Sequence, residues 1–353
     1  MTWAKLQAED DDVALAGSRK ILPNSMVVPP DARSKAVFEP TFGQRVLLTV
    51  DTEEEFDWNA PFTRDKHGLT HVNAIPRFQA FCEEIGAHPI YLVDWPIANN
   101  AQAAEVIGDA TKRGKADVGV QLHPWVNPPF DEALTLQNSY AGNLPRDLER
   151  AKFMALRNCI EDAFGNPPLI YRAGRYGLGP HSADILKAGG IKIDTSVRPL
   201  FDYSAQGGPN YSRHPLTPYW VDQARSLLEV PMTAVHSGAM RLLGDQLQRT
   251  GGHLPPLMGA LARLGLLERI ALTPEGVSAK EALRALDLAI GARLPLVVLS
   301  FHSPSLVSGF TPYTRNETEV EALYDWFTQI FGELSRAGVR SATVEQVIEA
   351  AQG

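Results

Sequence analysis

The residues best suited to chemistry in this chain stand at the ends of short apolar runs. RVLLTV stops at Asp51, and Glu53, Glu54 and Glu55 follow directly after Thr52. VGVQLHPW carries Gln121, His123 and Trp125, LIYRAGRYG carries Arg172 and Arg175, and LVVLSFHSPS closes on His302. A buried strand that ends in polar groups delivers them to the rim of a sheet or barrel, where metals and polar substrates bind. Asp51 and Glu53 are two apart, so in a continuing strand they share a face. Two carboxylates on one face can divide the work of general base and metal ligand, although an acidic surface turn would have the same spelling. Glu54 and Glu55 are expected to face solvent or to cap the next element.

A neutral imidazole at a strand end, such as His123, is a good ligand for a borderline metal, with zinc the first choice. His123 with Asp51 and Glu53 makes a three-ligand open set of the kind hydrolytic metals use; a hydrogen-bonded structural histidine is the other reading. Gln121 shares the His123 face but is a poor transition-metal ligand. Trp125 suits either a sugar face or the core. Arg172, directly after an apolar strand, needs a carboxylate partner, and Asp51 is available. Arg175 and Tyr176 sit on the following Gly-rich turn, where binding duty is expected. His302 is expected to act in acid/base chemistry. A Ser-His-Asp hydrolase is poorly supported, because no G-x-S-x-G elbow occurs and only Ser300 and Ser303 flank the histidine.

Positioning these groups requires alternating strands and helices, and the sequence supplies them from Arg45 onward. Strand-like runs cover 45–50, 89–93, 117–122, 168–173, 191–196, 227–233 and 294–301. Helical patterns cover Ala74–Gly86, Ala101–Gly114, Leu148–Phe164, Ala183–Gly189 and Glu319–Ala337. Strands separated by such helices imply parallel crossovers, and about seven of them in one domain point to an α/β barrel rather than an open doubly wound sheet. No glycine-rich dinucleotide or P-loop motif follows any strand. The long segments 124–146 and 203–225 are expected to be lids or binding loops, with Tyr211, His214, Tyr219 and Trp220 lining a cleft or packing the loop itself. Residues 1–43 read as an extension, partly disordered or draped over a barrel domain at 44–350.

With 353 residues, 44% hydrophobic and 21% charged, the chain has the composition of an ordinary globular protein with one barrel-sized core. A net charge of -8 with no basic block argues against a nucleic-acid partner. Cys82 and Cys159 lie in helix-like segments and are expected as reduced thiols. No apolar run approaches the roughly 18 residues that span a membrane. The acidic start MTWAKLQAEDDD does not resemble a signal peptide, so a cytoplasmic location is expected.

Taken in order, the strand ends resemble the motifs of the polysaccharide deacetylase superfamily, the NodB-homology or carbohydrate esterase family 4 domain. TVDTE at 49–53 resembles the family's TFDDG, and DVGVQLHPW at 117–125 its histidine-containing second motif. YRAGRYG, IDTSVRP and VVLSFHSP resemble the third, fourth and closing motifs. Asp-x-Glu in the first and L-H-P-W in the second are similar to a divergent, WalW-like branch. The resemblance implies a deformed (β/α)7 barrel and metal-dependent removal of acyl groups, usually acetate, from N-acylated sugars. It implies Asp51 as base, His302 as acid, Arg172 as the residue positioning the base, and Asp194 as the fourth-motif acid that tunes the site. The family's metal aspartate falls on Thr52 and its metal histidines on Gln121 and Trp125. Either Glu53 and His123, with Asp51, rebuild a shifted metal site, or the protein is a non-catalytic glycan-binding or scaffold barrel.

Overall fold

Arg45–Thr52 forms strand β1, buried at every position after Arg45, which is why its sequence is a continuous apolar run rather than an alternating one. The other strands are β2 (Pro89–Val93), β3 (Asp117–Leu122), β4 (Ile170–Ala173), β5 (Ile193–Asp194), β6 (Tyr219–Trp220), β7 (Leu228–Glu229), β8 (Ala234–Ser237), β9 (Glu268–Ala271), β10 (Leu296–His302) and β11 (Arg340–Ser341). The computed structural model describes residues 25–58, 60–243, 261 and 264–352. Strands β10-β1-β2-β3-β4-β5-β7 hydrogen-bond in that order, all parallel, with β6 antiparallel at the edge. Parallel pairing points the C-terminal ends of these strands to one rim, where the polar residues collect.

The sheet curls without closing on itself, and an irregular segment spans the gap. Met232 N donates to Val197 O on the β5 side, while Leu272 N donates to Thr233 O. On the other side Ser300 N donates to Leu272 O and Val298 N to the Thr233 hydroxyl. The small antiparallel β8–β9 ribbon continues from this seam. The expected α/β barrel is present in this deformed, partly open form. The run 191–196 shortens to β5 because Ser196 folds back to hydrogen-bond the Asp194 carboxylate through both its amide and hydroxyl.

The connecting helices bury one face each. Helix α1 (Ile75–Ile85) covers the sheet with Ile75, Phe78, Gln79 and Cys82, the i, i+3, i+4, i+7 spacing of one stripe, and stops at left-handed Gly86. It is followed by α2 (Trp95–Ala98), α3 (Ala101–Lys112), α4 (Arg146–Phe164), α5 (Ser182–Ala188), α6 (Ala279–Gly291), α7 (Glu317–Arg336) and α8 (Val344–Gln352). Asn100, Asn316 and a Ser278/Glu281 capping box satisfy the first amides of α3, α7 and α6. The expected helices are found with boundaries shifted by a few residues; α2, α6, α8, the short strands β6 and β11, and the β8–β9 ribbon were not expected.

Part of the N-terminal segment, 1–24, lies outside the described residues. From Ser25 the chain packs on the barrel: Met26 is fully buried and its carbonyl meets His214 Nε2 at 3.0 Å, and Ala36 N donates to Pro218 O. Cys82 and Cys159 are free thiols. Among the described residues no helix is long and apolar enough to cross a membrane.

Candidate functional site

Asp51 and His302 end adjacent strands on the same rung of the β1–β10 ladder. The Asp51 Oδ2 atom lies 3.8 Å from His302 Nε2. Behind Asp51, the fully buried Arg172 guanidinium has every N–H engaged. Nε donates to Thr195 O at 3.0 Å and Nη1 to Asp51 and to Ser300 Oγ at 2.8 Å. Nη2 donates to Thr49 Oγ1 at 2.9 Å and reaches Thr195 Oγ1 at 3.5 Å. A buried guanidinium is tolerated only when its donors are satisfied this completely, and the result fixes the Asp51 carboxylate. Behind His302, Glu275 accepts from its backbone amide at 3.1 Å and holds its Nδ1 at 2.7 Å. Burial works against charge on this imidazole, but Glu275, Glu53 and Asp51 outweigh it and push its pKa up to about 10.

Facing this pair, Glu53, Gln121 and His123 meet across β1 and β3. The Gln121 amide donates to Glu53 Oε2 at 3.1 Å and lies 3.3 Å from His123 Nε2. Glu53 Oε2 and His123 Nε2 are themselves 3.3 Å apart. Burial and the neighbouring carboxylates raise Glu53 well above the usual range, although His302 opposes them. Burial also lowers His123 to about 4, against the pull of Asp94 and Asp51, so the ring is neutral near pH 7.

Glu54 and Glu55 do not face solvent; Glu55 instead meets the other half of the expectation, accepting from the His71 amide in the first turn of the short helix Thr70–Ala74. Both are buried. Beyond Thr52 the chain leaves the ladder, and alternation no longer predicts which way a side chain points. Glu54 accepts from Trp125 Nε1 at 2.7 Å and holds His123 Nδ1 at 2.9 Å, while its amide donates to Asp94 at 2.7 Å. Burial raises the pKa of both Glu54 and Asp94. Asp94 was missed although it carries the same signal as Asp51, an acid at the end of the apolar run PIYLV. Gly174 is required here, because a Cβ on it would overlap the His123 ring.

These groups open onto a cavity of about 590 Å³, a volume suited to a small-molecule or sugar site. Asp51, Glu53, Gln121, His123, Glu275 and His302 form its polar floor. Trp125, stacked on His123 at 4.3 Å and against Phe62 at 4.6 Å, makes one wall. Trp58 stands edge-on to His302 at 5.2 Å, Arg175 lies over Phe62 at 5.3 Å, and Tyr176 and Arg198 also line the cavity. The expected binding residues Trp125, Arg175 and Tyr176 therefore all face the cavity. Asp194 does not; it is fully buried behind the floor with Ser196. Tyr211, His214, Tyr219 and Trp220 pack inside the protein rather than lining the cleft, and the Tyr211 hydroxyl braces Tyr176 by donating to its carbonyl at 2.6 Å.

Comparison with solved structures places the architecture. A Mycobacterium smegmatis protein assigned as a polysaccharide deacetylase superposes with a TM-score of 0.50 at 17% identity, over 92% of this chain and 94% of that one. The fold is that of the deacetylase-type barrels. A GH57 branching enzyme from Thermococcus kodakaraensis (TM-score 0.48, 12% identity, 88% of this chain and 72% of that one) is also similar. So is a CE4-family pseudoenzyme from Bacillus anthracis (0.42, 9%, 87% and 66%). No protein-family model and no curated protein sequence matches the chain.

Two sets of side chains in this barrel could hold a metal ion. Among the described residues, Glu54, Asp94 and His123 have ligand atoms within 4.8 Å of one another. Their atoms are already committed to Trp125, to the amides of Glu54 and Ile97, and to each other, away from the cavity. They fit a structural network better than an open catalytic ion. Glu53 and His123 Nε2 fit the ion better: they face the cavity, and 3.3 Å is close to the spacing of two ligands each about 2.1 Å from one cation. His123 Nδ1 on Glu54 is the carboxylate–histidine pairing that orients a metal-binding imidazole. Asp51, expected as a third ligand, is committed on one oxygen to Arg172.

A second catalytic-looking set lies nearby. Ser303 Oγ is 2.9 Å from His71 Nε2, and His71 Nδ1 is 2.9 Å from Glu55 Oε1. This is the connectivity of a serine-hydrolase triad. Ser303 and His71 are completely buried and line no cavity described here, so the set serves to tie the ends of β1 and β10 to the loop before α1.

Proposed function

We propose that the protein is a hydrolase of the polysaccharide deacetylase superfamily that removes an acyl group, acetate being the usual one, from an N-acylated sugar. The observation carrying this reading is the Asp51–His302 pair, braced from behind by Arg172 and Glu275 and opening onto an aromatic-walled cavity. The WalW-like assignment rests on the Asp-x-Glu and L-H-P-W spellings.

Asp51, held in place by Arg172, takes the proton of the attacking water. The chemistry a divalent cation supplies when held by Glu53 and His123, zinc first by donor type, is polarisation of the acyl carbonyl and acidification of that water. His302, held as imidazolium by Glu275, gives its proton to the amine as the C–N bond breaks. Trp125 and Tyr176 flank the sugar ring. Asp194 acts from behind the floor through the field around Arg172.

The test is release of free amine from N-acetylated oligosaccharides by the metal-loaded protein, with Asp51→Asn and His302→Ala as controls. Amine release abolished by either substitution supports the reading; release unaffected by both overturns it. A second reading, a glycan-binding barrel without turnover, is favoured by Gln121, whose amide stands between Glu53 and His123 where an ion would sit. Saturable oligosaccharide binding with no amine release under any metal loading would select it.

A further inference from the structure

The carboxylates of the cavity floor have partners: Asp51 has Arg172, Glu275 has His302, and Glu53 has Gln121 and His123. Among the described residues, two guanidiniums lining the cavity have no carboxylate within salt-bridge distance. Arg175 donates to neutral oxygens, Ser139 Oγ at 2.6 Å, Tyr140 Oη at 3.0 Å and Gln206 Oε1 at 2.7 Å. Arg198 makes one hydrogen bond, to Tyr203 Oη at 3.2 Å, and its buried Nε has no partner. It lies face-on to Phe201 at 3.9 Å, and Arg269 covers the same ring at 3.8 Å. Arg175 and Tyr176 hold left-handed backbone conformations, φ 54° and 60°, which non-glycine residues adopt at a cost. The chain thus places fixed positive charge on a cavity whose floor carboxylates, Asp51, Glu53 and Glu275, already have partners, with Asp57 a further acid in its lining.

We propose that the sugar recognised at this site carries an anionic oxygen group, a carboxylate or a phosphate, and that Arg175 and Arg198 bind it. This rests on the N-acyl sugar reading and narrows its substrate class to acidic sugars. A planar guanidinium presents paired donors to two oxygens of such a group, and both arginines retain donors for it. A neutral sugar would leave a desolvated charge without its counterion.

The experiment is binding, independent of turnover: titration of the full-length protein with glucuronate, with a hexose monophosphate and with glucose, followed by calorimetry. The acidic sugars should bind roughly tenfold or more tighter than glucose, with a preference that added salt weakens and Arg198→Gln removes. The stronger of the two acidic arms names the anion. Arg198→Lys, which keeps the charge without the fork, should retain part of the preference, and it serves if the glutamine variant fails to fold. Equal binding of glucose and both acidic sugars, or a preference untouched in both Arg198 variants, would overturn the inference. Hydrolysis of neutral N-acetyl oligosaccharides without any acidic preference would remove this inference and leave the proposed function standing. Arg198-dependent binding of acidic sugars, with no amine released from any N-acyl sugar, would do the reverse.

Discussion

Asp51 and His302 are register partners at the ends of β1 and β10, with carboxylate and imidazole 3.8 Å apart and each held from behind by a residue of opposite charge. Strand pairing thus does the work of alignment, since side chains on one rung of a parallel ladder point the same way. If the two act as base and acid, Asp51→Asn and His302→Ala should each lower kcat by ~10²–10⁴-fold with a smaller effect on KM. Steady-state kinetics on a verified N-acyl sugar checks this, and a double variant no worse than either single one would show that they act as a unit.

The pH response follows from His302. Its folded pKa of about 10 is above that of an unfolded histidine, about 6.5. The stability it contributes is therefore fully present below the unfolded value and is lost as pH rises through about 10. Urea midpoints should fall between neutral pH and pH 10, and less steeply in Glu275→Gln. The alkaline limb of kcat should move toward neutrality in the same variant, because the imidazolium loses its nearest carboxylate. An unmoved limb would show that Glu275 does not hold the proton.

The buried Ser303–His71–Glu55 set separates geometry from function. Ser303→Ala should leave kcat within about twofold of the parent while costing about 1–3 kcal/mol of stability, since it strands a buried imidazole nitrogen. Chemical denaturation and the amine-release assay, run on the same sample, decide it. Loss of activity with unchanged stability would mean that Ser303 takes part in the reaction.

Much of the fold and part of the site were legible because buried parallel strands are written as apolar runs with abrupt polar ends. Asp51, His123, Arg172 and His302 all stand at such ends. Glu275 was not, because it lies in the loop after β9, in TPEGVS, where no periodicity marks it and only the tertiary path brings it to His302. Glu54 was misread because alternation was carried past Thr52, where the strand stops. Arg198 follows a strand of only two residues, and its lack of a carboxylate is a property of the assembled cavity. The β8–β9 ribbon, which follows the seam, leaves no period either, as short antiparallel strands seldom do.

The last prediction separates the two sets of metal donors. If an ion is held on the cavity side, Glu53→Gln and His123→Ala should abolish metal retained after loading and desalting, measured by elemental analysis. Glu54→Gln should weaken affinity by about 10–100-fold, because it removes the carboxylate that orients His123 without removing a ligand. Asp94→Asn should retain the ion and instead lose stability, since Asp94 caps α2 and receives the Glu54 amide. The opposite pattern, retention in Glu53→Gln and loss in Asp94→Asn, would place the ion in the buried Glu54–Asp94–His123 cluster. It would then be a structural ion away from the cavity, and catalysis would fall to Asp51 and His302 unaided.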